Sequence, residues 1–129
     1  MASIEDTVRR YFAIVADLSS TTADLHAVVD PAARFREMPN PISPNGAVRG
    51  VAESTEGFLA GKRRLSRQRI EIDEILIAPP DRAAVRSTWY GRIGDVDVVA
   101  HMAGFLRVRN GRIIEHTTYD CYEPFTLGT

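Results

Sequence analysis

Helical and strand-like patterns are separated along this chain, and that separation restricts its possible folds more than any other feature. Apolar residues recur at helical spacing in three segments of the first half, at about 4–18, 22–30 and from Val51 to the basic cluster at Lys62. The second half carries four segments rich in β-branched and aromatic residues, at 69–77, 83–90, 96–108 and 112–122. Helices followed by a strand meander predict an α+β fold with a mainly antiparallel sheet, and argue against alternating βαβ units.

Local signals mark the ends of these elements. Ser3 with Asp6 resembles a capping box before the first helix, and Thr21 with Asp24 repeats this signal before the second. Proline at position 31 closes the second segment, because the residue before a proline is disfavoured in helical geometry. A short strand at 32–38 then places Phe35 and Glu37 on one face, and a loop with three prolines follows at 39–46.

Composition narrows the function classes. The chain has 129 residues, is 44% hydrophobic and carries a formal net charge of -1, which predicts one globular domain over 1–129 and no nucleic-acid partner. Cys121 is the only cysteine and the three histidines lack metal-ligand spacing, so no metal is expected. The sequence has no glycine-rich phosphate loop, so no nucleotide cofactor is expected either. The chain has no apolar run of 18 residues, so we expect a cytoplasmic protein without a membrane partner.

Asn110-Gly111 is the strongest turn signal, because a type I′ hairpin turn needs positive φ at both central residues. With a two-residue loop, Arg109 faces Arg112 and His101 faces Asp120. The same register pairs Phe105 with His116 and Ala103 with Thr118 on that face. The opposite face then carries Met102, Leu106, Val108, Ile113, Glu115 and Tyr119. A bulged loop, or a bulge at Gly104, would break this pairing.

The predicted His101–Asp120 pair has two interpretations. In a cavity, the carboxylate would orient the imidazole and stabilise its protonated form, which makes an efficient base. Alternatively, the two residues form an ordinary cross-strand polar pair that faces solvent or a second subunit. Glu37, beside Phe35, is a candidate acid/base group if it is buried and a solvated glutamate if it is not.

The aromatic residues leave the orientation of the sheet open. Tyr11, Phe12 and Phe58 recur at helical spacing and are expected in the core. Trp89 shares a face with Ser87, whereas Arg86, Thr88 and Tyr90 lie on the other face, and either face can be the concave one.

The chain resembles the SnoaL-like branch of the nuclear transport factor 2 superfamily in three features. These are the three helices, the proline-rich loop after a short strand, and the ending Gly111-Arg112-Ile113-Ile114-Glu115-His116-Thr117-Thr118-Tyr119-Asp120. The resemblance covers nearly the whole chain. It implies a cone-shaped, cystatin-like fold that encloses a pocket, and a homodimer formed through the sheet. Ketosteroid isomerases, polyketide cyclases, epoxide hydrolases and non-enzymatic domains share this fold, so the fold does not define an activity.

Limonene epoxide hydrolase is similar in its strand, proline loop and final glycine-led strand to 35–39 and 111–125 here. That family positions a water with a tyrosine, an asparagine and an aspartate, where this chain has Phe35, Glu37 and Thr118. Its arginine and second aspartate would match Arg86 and Thr88. Because both aspartates are missing, the comparison argues against that mechanism. It nevertheless implies that Glu37, Arg86 and Thr118 look into the cavity.

A second SnoaL-like group shares a Glu-x-Pro-Asn loop, an Ala-His pair and a Tyr-Asp-Cys-aromatic-Glu-Pro-Phe ending. This chain supplies these motifs at 37–40, 100–101 and 119–125, although they carry no assigned reaction. Because Thr118 and Asp120 share a face, the resemblance and the hairpin register both predict the His101–Asp120 pair inside the pocket.

Three function classes follow. The first is an acid/base enzyme without a cofactor that isomerises, cyclises, dehydrates or hydrates a small apolar molecule, with His101 as base, Asp120 as its orienting partner and Glu37 as a second acid/base. The second is a non-catalytic binding domain, and the third is a dimeric association domain that uses the face of Met102 and Leu106. The candidate substrate-binding residues are Phe35, Arg86, Thr88, Trp89, Tyr90, Phe105, His116, Thr118 and Tyr122.

Overall fold

The computed structural model describes residues 2–127. Its three helices are α1 (Ile4–Ala16), α2 (Thr22–Val28) and α3 (Val51–Arg64). Thr21 with Asp24 forms the complete capping box that was predicted. At the start of α1, Ser3 accepts a hydrogen bond from the amide of Asp6, which is one half of the box predicted there. None of the helices described is long and apolar enough to cross a membrane.

The strands are β1 (Val29–Glu37), β2 (Ala47–Arg49), β3 (Leu65–Ala78), β4 (Arg82–Ile93), β5 (Val96–Arg109) and β6 (Arg112–Tyr122). They form one mixed sheet in the order β2-β1-β6-β5-β4-β3, in which β1 lies parallel to β6. The α+β prediction is therefore confirmed. Strand β2 was not predicted, because three residues after a proline-rich loop carry too little pattern to identify a strand.

The helices cover one face of the sheet, which we call the inner face. It carries Ser87 on β4, Met102 and Gly104 on β5, and His116, Thr118 and Asp120 on β6. Next to this region, α1 and α2 pack on the sheet through a buried apolar cluster that contains Val8, Phe12, Leu25, Val28, Val85, Leu106, Val108 and Ile113. The opposite, outer face leaves Phe105, Tyr119 and Leu76 exposed. Tyr11 and Phe12 belong to the buried cluster and Phe58 packs against it, as expected from their spacing.

The hairpin turn forms as predicted, but the register behind it does not continue. Asn110 and Gly111 both have positive φ, and Arg109 faces Arg112. Val108 pairs with Ile113, but Arg107 pairs with Glu115, so Ile114 is an extra residue in β6. This β-bulge shifts every later pair by one residue, and a shift of one residue moves each side chain to the other face.

The bulge has a clear physical basis. It keeps Ile113 in the core with no exposed surface, and it places Glu115 beside Arg107 in an ion pair of 3.1 Å. In the unbulged register, Glu115 would share the inner face with Ile113. Burying an unpaired carboxylate costs several kcal/mol, so the bulged register is the more stable one.

Gly91 on β4 allows the ring of Trp89 to lie across the strand. A Cβ built on Gly91 overlaps the six-membered ring of that indole. The indole Nε1 donates to Gln68 Oε1 at 2.8 Å, and Gln68 in turn donates to the carbonyl of Val15 at 2.8 Å. The glycine thus supports a chain of contacts from the sheet to the end of α1.

Substituting Gly91 by alanine should lower the free energy of unfolding by about 1–3 kcal/mol, because the indole must move and lose its hydrogen bond. Urea unfolding measures the change in the free energy of unfolding. The fluorescence of Trp89, the only tryptophan, reports the movement of the indole. Gly57→Ala on α3 is the matched control, since a Cβ there meets no atom within 4 Å. This control should stabilise the protein by about 0.4–1 kcal/mol. An unchanged midpoint for Gly91→Ala would contradict the packing described.

Candidate active site

Helix α1 and the inner face border a small, partly open cavity, which we call the inner pocket. Its volume is about 120 Å³, close to the roughly 150 Å³ of an apolar protein cavity that holds benzene. The lining residues are Tyr11, Phe12, Val15, Ile70, Ser87, Met102, Gly104, His116, Thr118 and Asp120. The wall is mainly apolar, and its polar groups are concentrated on β6.

Asp120 is the carboxylate of the inner pocket. Thr118 Oγ1 donates a hydrogen bond to Asp120 Oδ1 at 2.5 Å. Burial raises the pKa of Asp120 above its ordinary value, and the negative charge of Glu37 raises it further, while the Thr118 hydrogen bond acts in the opposite direction. A carboxylate with a raised pKa is a stronger base than an exposed one, and it can also return the proton that it takes.

Glu37 lies beside this group on β1, because the parallel pairing of β1 with β6 puts it opposite Thr118. Arg49 Nη1 donates to one carboxylate oxygen at 3.1 Å, and Asn40 Nδ2 donates to the other at 2.8 Å. Asn40 is itself buried in the proline-rich loop. Both oxygens of Glu37 are therefore held in one orientation, with the carboxylate's charge close enough to affect Asp120.

A second, larger cavity adjoins the inner pocket, and we call it the outer cleft. Its volume is about 500 Å³, and its wall includes Glu37, Arg49, Phe58 and Arg64. Tyr11 and Val15 belong to the walls of both cavities. A ligand too large for the inner pocket thus has room to extend along α3.

One further aromatic residue, Tyr122, is affected by the charges of the two carboxylates, and it packs against Trp89. The rings of Trp89 and Tyr122 meet edge to face, with centroids 6.5 Å apart. Burial raises the pKa of the Tyr122 hydroxyl, and the charges of Asp120 and Glu37 add to that effect. The Tyr122 hydroxyl consequently stays protonated at neutral pH.

His116 is the imidazole of the inner pocket. Its Nδ1 lies 2.9 Å from the Tyr11 hydroxyl, and the two rings meet edge to face. Burial lowers the pKa of His116 to about 4 and raises that of Tyr11. Both side chains are therefore neutral at pH 7.

The predicted pairing of His101 with Asp120 is wrong. After the bulge His101 pairs with Cys121, and Asp120 pairs with Met102. His101 lies on the outer face with 56% of its side chain exposed, and its Nε2 is 2.8 Å from Glu123 Oε2. Phe105 faces Thr117 instead of His116, and Ala103 faces Tyr119 instead of Thr118.

The face that carries Arg86, Thr88 and Tyr90 is also the outer one, contrary to the expectation from the epoxide hydrolase comparison. Arg86 lies 3.6 Å from Glu74, and Thr88 donates to Asp73 at 3.1 Å. Tyr90 lies under the guanidinium of Arg69. Phe105 is 53% exposed on the same face. These four side chains therefore do not line the inner pocket.

The remaining predicted residues lie on the inner side. His116 and Thr118 line the inner pocket, and Glu37 lines the outer cleft. Phe35 packs against the core cluster, and Trp89 and Tyr122 pack together on the same face. Met102 was expected on the opposite side to Asp120, but it lines the pocket beside it.

Several pocket residues were not identified from the sequence. Tyr11, Phe12 and Val15 share the buried stripe of α1, but spacing alone does not separate a core residue from a pocket residue. Ile70, Ser87 and Gly104 carry no sequence signal for a site. The group of three or more His, Cys, Asp or Glu side chains that a metal site needs does not occur within 2–127.

Replacing Glu37 with glutamine should lower the pKa of Asp120, because it removes a negative charge that disfavours the carboxylate. Carbon-detected NMR titration of the Asp120 carboxyl measures the change. Glu123→Gln is the matched control, since Glu123 contacts His101 on the outer face. An Asp120 pKa that stays constant in Glu37→Gln would contradict the coupling of the two carboxylates.

Comparisons with known proteins agree with this architecture. No functionally curated protein matches the chain. Among solved structures, IdmH from Streptomyces antibioticus, a proposed polyketide cyclase, has a TM-score of 0.76 at 19% identity over 92% of each chain. A Catenulispora acidiphila protein with a ketosteroid isomerase-like fold has a TM-score of 0.74 at 16% identity, over 88% of this chain and 84% of that one. A Xanthomonas campestris protein with a cystatin-like fold has a TM-score of 0.75 at 16% identity, over 92% of this chain and 91% of that one.

At these identities the solved structures define the fold alone, which is described as ketosteroid isomerase-like in one of these proteins and as cystatin-like in another. The family is defined by a separate match, since the model of the SnoaL-like domain matches residues 8–116. The match includes α1 from Val8 onward, the sheet as far as His116 and most of the inner pocket, but it ends before Thr118 and Asp120. The chain therefore belongs to the SnoaL-like domain family.

Proposed function

We propose that this protein is an acid/base catalyst that moves a proton at a carbon next to a carbonyl group, in a small, largely apolar molecule bound in the inner pocket. Asp120 is the group that takes and returns the proton. The observation that carries this proposal is a carboxylate with a raised pKa in the wall of an apolar cavity. Isomerisation and cyclisation are the two reaction types that begin with such a step.

The neighbouring groups suit this role. Thr118 orients the carboxylate through its hydrogen bond. Glu37, held by Arg49 and Asn40, keeps a negative charge close to Asp120 and so makes Asp120 a stronger base. The carboxylate is weakly solvated because its surroundings are apolar. The free-energy barrier to taking a proton from carbon is lower as a result.

The similarity to a proposed polyketide cyclase supports the same class of chemistry. A polyketide chain carries carbonyl groups, and closing a ring through carbon requires removal of a proton beside one of them. The outer cleft has room for the rest of such a molecule, since it adjoins the inner pocket at Tyr11 and Val15.

Proton exchange in D2O tests the proposal without knowledge of the natural substrate. Small ketones and 1,3-dicarbonyl compounds are incubated with the protein, and proton NMR follows the loss of signal from the carbon beside the carbonyl. We expect at least one compound to exchange faster with the protein than in buffer. Compounds that bind, as judged by a raised melting temperature, but never exchange would show a binding domain instead of an enzyme.

We also propose that the outer face forms a homodimer, as the family resemblance implies. Phe105 and Tyr119 meet edge to face there, with centroids 5.9 Å apart, and Leu76 is 58% exposed on the neighbouring edge. Phe105→Arg should convert a dimer to a monomer, because an interface would bury the guanidinium without a partner. Sedimentation velocity measures the mass. Ala13→Arg, on the exposed side of α1, should remain dimeric, and a monomeric unmodified protein would refute the proposal.

A further inference from the structure

The Tyr11–His116 pair contains a proton whose position can be assigned. Tyr11 is 7% exposed on α1, and its hydroxyl oxygen lies 2.9 Å from His116 Nδ1 on β6. The Tyr11 hydroxyl makes no other side-chain or backbone hydrogen bond within residues 2–127. A neutral imidazole has one donor and one acceptor nitrogen.

Only one arrangement satisfies both side chains. If Nδ1 carried the hydrogen, it would donate to the tyrosine oxygen, and the buried hydroxyl hydrogen would have no acceptor in the protein. Such an unsatisfied donor costs about 1–3 kcal/mol. The network therefore assigns the hydroxyl as donor to Nδ1, and the hydrogen of the neutral imidazole to Nε2.

His116 Nε2 faces the inner pocket. It makes no hydrogen bond within the described part of the chain, and no buried side-chain nitrogen or oxygen there lacks a partner, so Nε2 has accessible surface. Gly104 is what leaves this surface open, since a Cβ on Gly104 would lie 2.9 Å from Nε2. The Nε2–H group is thus a fixed donor that points into a mainly apolar cavity.

The donor and the Asp120 carboxylate converge on one region of the pocket. Gly104 pairs with Thr118. His116 Nε2 lies close to Gly104, and the Asp120 carboxylate is hydrogen-bonded to Thr118. Both polar groups therefore lie near the Gly104–Thr118 pair, on either side of it along the strand. The Cα atoms of His116 and Asp120 are four strand residues apart, or about 13 Å. With both side chains inclined toward the middle, a small molecule between them can touch both.

We propose that His116 Nε2–H is the hydrogen-bond donor that receives the carbonyl oxygen of the substrate, with Tyr11 as the positioning residue that fixes the tautomer. This inference rests on the acid/base function proposed above. Asp120 takes the proton from the carbon, and the electrons of the C–H bond form a carbon–carbon double bond. The carbonyl π electrons move to the oxygen, where Nε2–H stabilises the enolate charge. Returning the proton to carbon reverses these shifts.

A pair of matched probes tests the donor separately from catalysis. Cyclohexanone and methylenecyclohexane have nearly the same shape, but only the ketone accepts a strong hydrogen bond. Nitrogen-15 NMR of the free protein should show Nε2 protonated and Nδ1 unprotonated in His116. After each affinity is divided by the compound's partition coefficient from water into an apolar solvent, cyclohexanone should bind about 10-fold more tightly than methylenecyclohexane, and it should move the Nε2–H resonance downfield. Equal affinities after this division together with an unmoved resonance, or a hydrogen on Nδ1, would overturn the proposal.

Variants then separate this inference from the proposed function. His116→Phe should abolish the preference for the ketone and lower the turnover of proton exchange by about 10²-fold or more, as expected when a donor to an oxyanion is lost. Gly104→Ala, which crowds Nε2, should reduce the ketone preference while Nε2 remains protonated. Tyr11→Phe should shift the tautomer populations seen by nitrogen-15 NMR.

The outcomes are distinct for the two proposals. If exchange requires Asp120 but is unchanged in His116→Phe, the donor role fails and the acid/base function stands. If no ketone exchanges, the function fails, and the probe pair still decides whether Nε2–H binds a carbonyl oxygen. Should His116→Phe fail to fold, the NMR assignment and the probe affinities of the unmodified protein give the same decision.

Discussion

Replacing Asp120 with asparagine should lower the turnover of an active ketone by about 10²- to 10⁴-fold, the usual contribution of a general base. Asparagine keeps the size of the side chain and still accepts the hydrogen bond from Thr118, but it takes no proton. The ketone should bind with nearly unchanged affinity, because the shape of the pocket is preserved. Proton exchange in D2O gives the rate, and a melting-temperature titration gives the affinity.

His101→Gln is the decisive control. The sequence alone predicted His101 as the base, whereas the structure places His101 on the outer face beside Glu123. We expect its turnover to stay within about twofold of the unmodified protein, as for a substitution that touches no reacting atom. A large loss in His101→Gln together with a small loss in Asp120→Asn would reverse the assignment and refute the site described here.

Stability should fall as the pH drops from 6.5 toward 4, because His116 is neutral in the folded protein. Its pKa is about 4 when folded against an ordinary 6.5, so in this range the unfolded chain binds a proton that the folded chain does not. The stabilisation is complete above pH 6.5 and is lost as the pH approaches 4. Over the whole window, the lost free energy of unfolding amounts to about 3 kcal/mol.

Urea unfolding at pH 7 and pH 4.5 measures this loss. His116→Gln should show a smaller difference between the two pH values, whatever its absolute stability. The raised pKa of Asp120 acts in the opposite direction as the pH falls, but Asp120 is present in both proteins and its effect cancels in the comparison. His26→Gln, an exposed histidine that bonds Thr55, should keep the full difference. Identical differences in all three proteins would mean that His116 is not buried in its neutral form.

Features that depend on neighbouring residues were predictable. The capping groups at Ser3 and Thr21 and the turn at Asn110-Gly111 act within four residues of chain, and each forms in the structure. The last strand has the predicted bounds, 112–122. The hydrophobic spacing of α1 likewise identified Tyr11 and Phe12 as buried. Local backbone preference and periodicity act before any tertiary contact exists, and they suffice for these features.

The candidate site was only partly predictable. Asp120, Glu37, His116 and Thr118 were identified and lie in or beside the two cavities. Five other predicted site residues lie on the outer face instead, namely His101, Arg86, Thr88, Tyr90 and Phe105. The two groups of residues differ in the face of the sheet that their side chains occupy. Strand alternation shows which residues share a face, but it does not show which of the two faces the helices cover.

The sequence by itself determined the order of the elements, the helix caps and the hairpin turn, since each depends on a few consecutive residues. Tertiary structure decided which face of the sheet is covered and where the register changes. The extra residue at Ile114 is stabilised by the burial of Ile113 under the helices and by the ion pair of Glu115 with Arg107. Those contacts exist only in the assembled fold, and they put Asp120 and His116 in the pocket and leave His101 outside it.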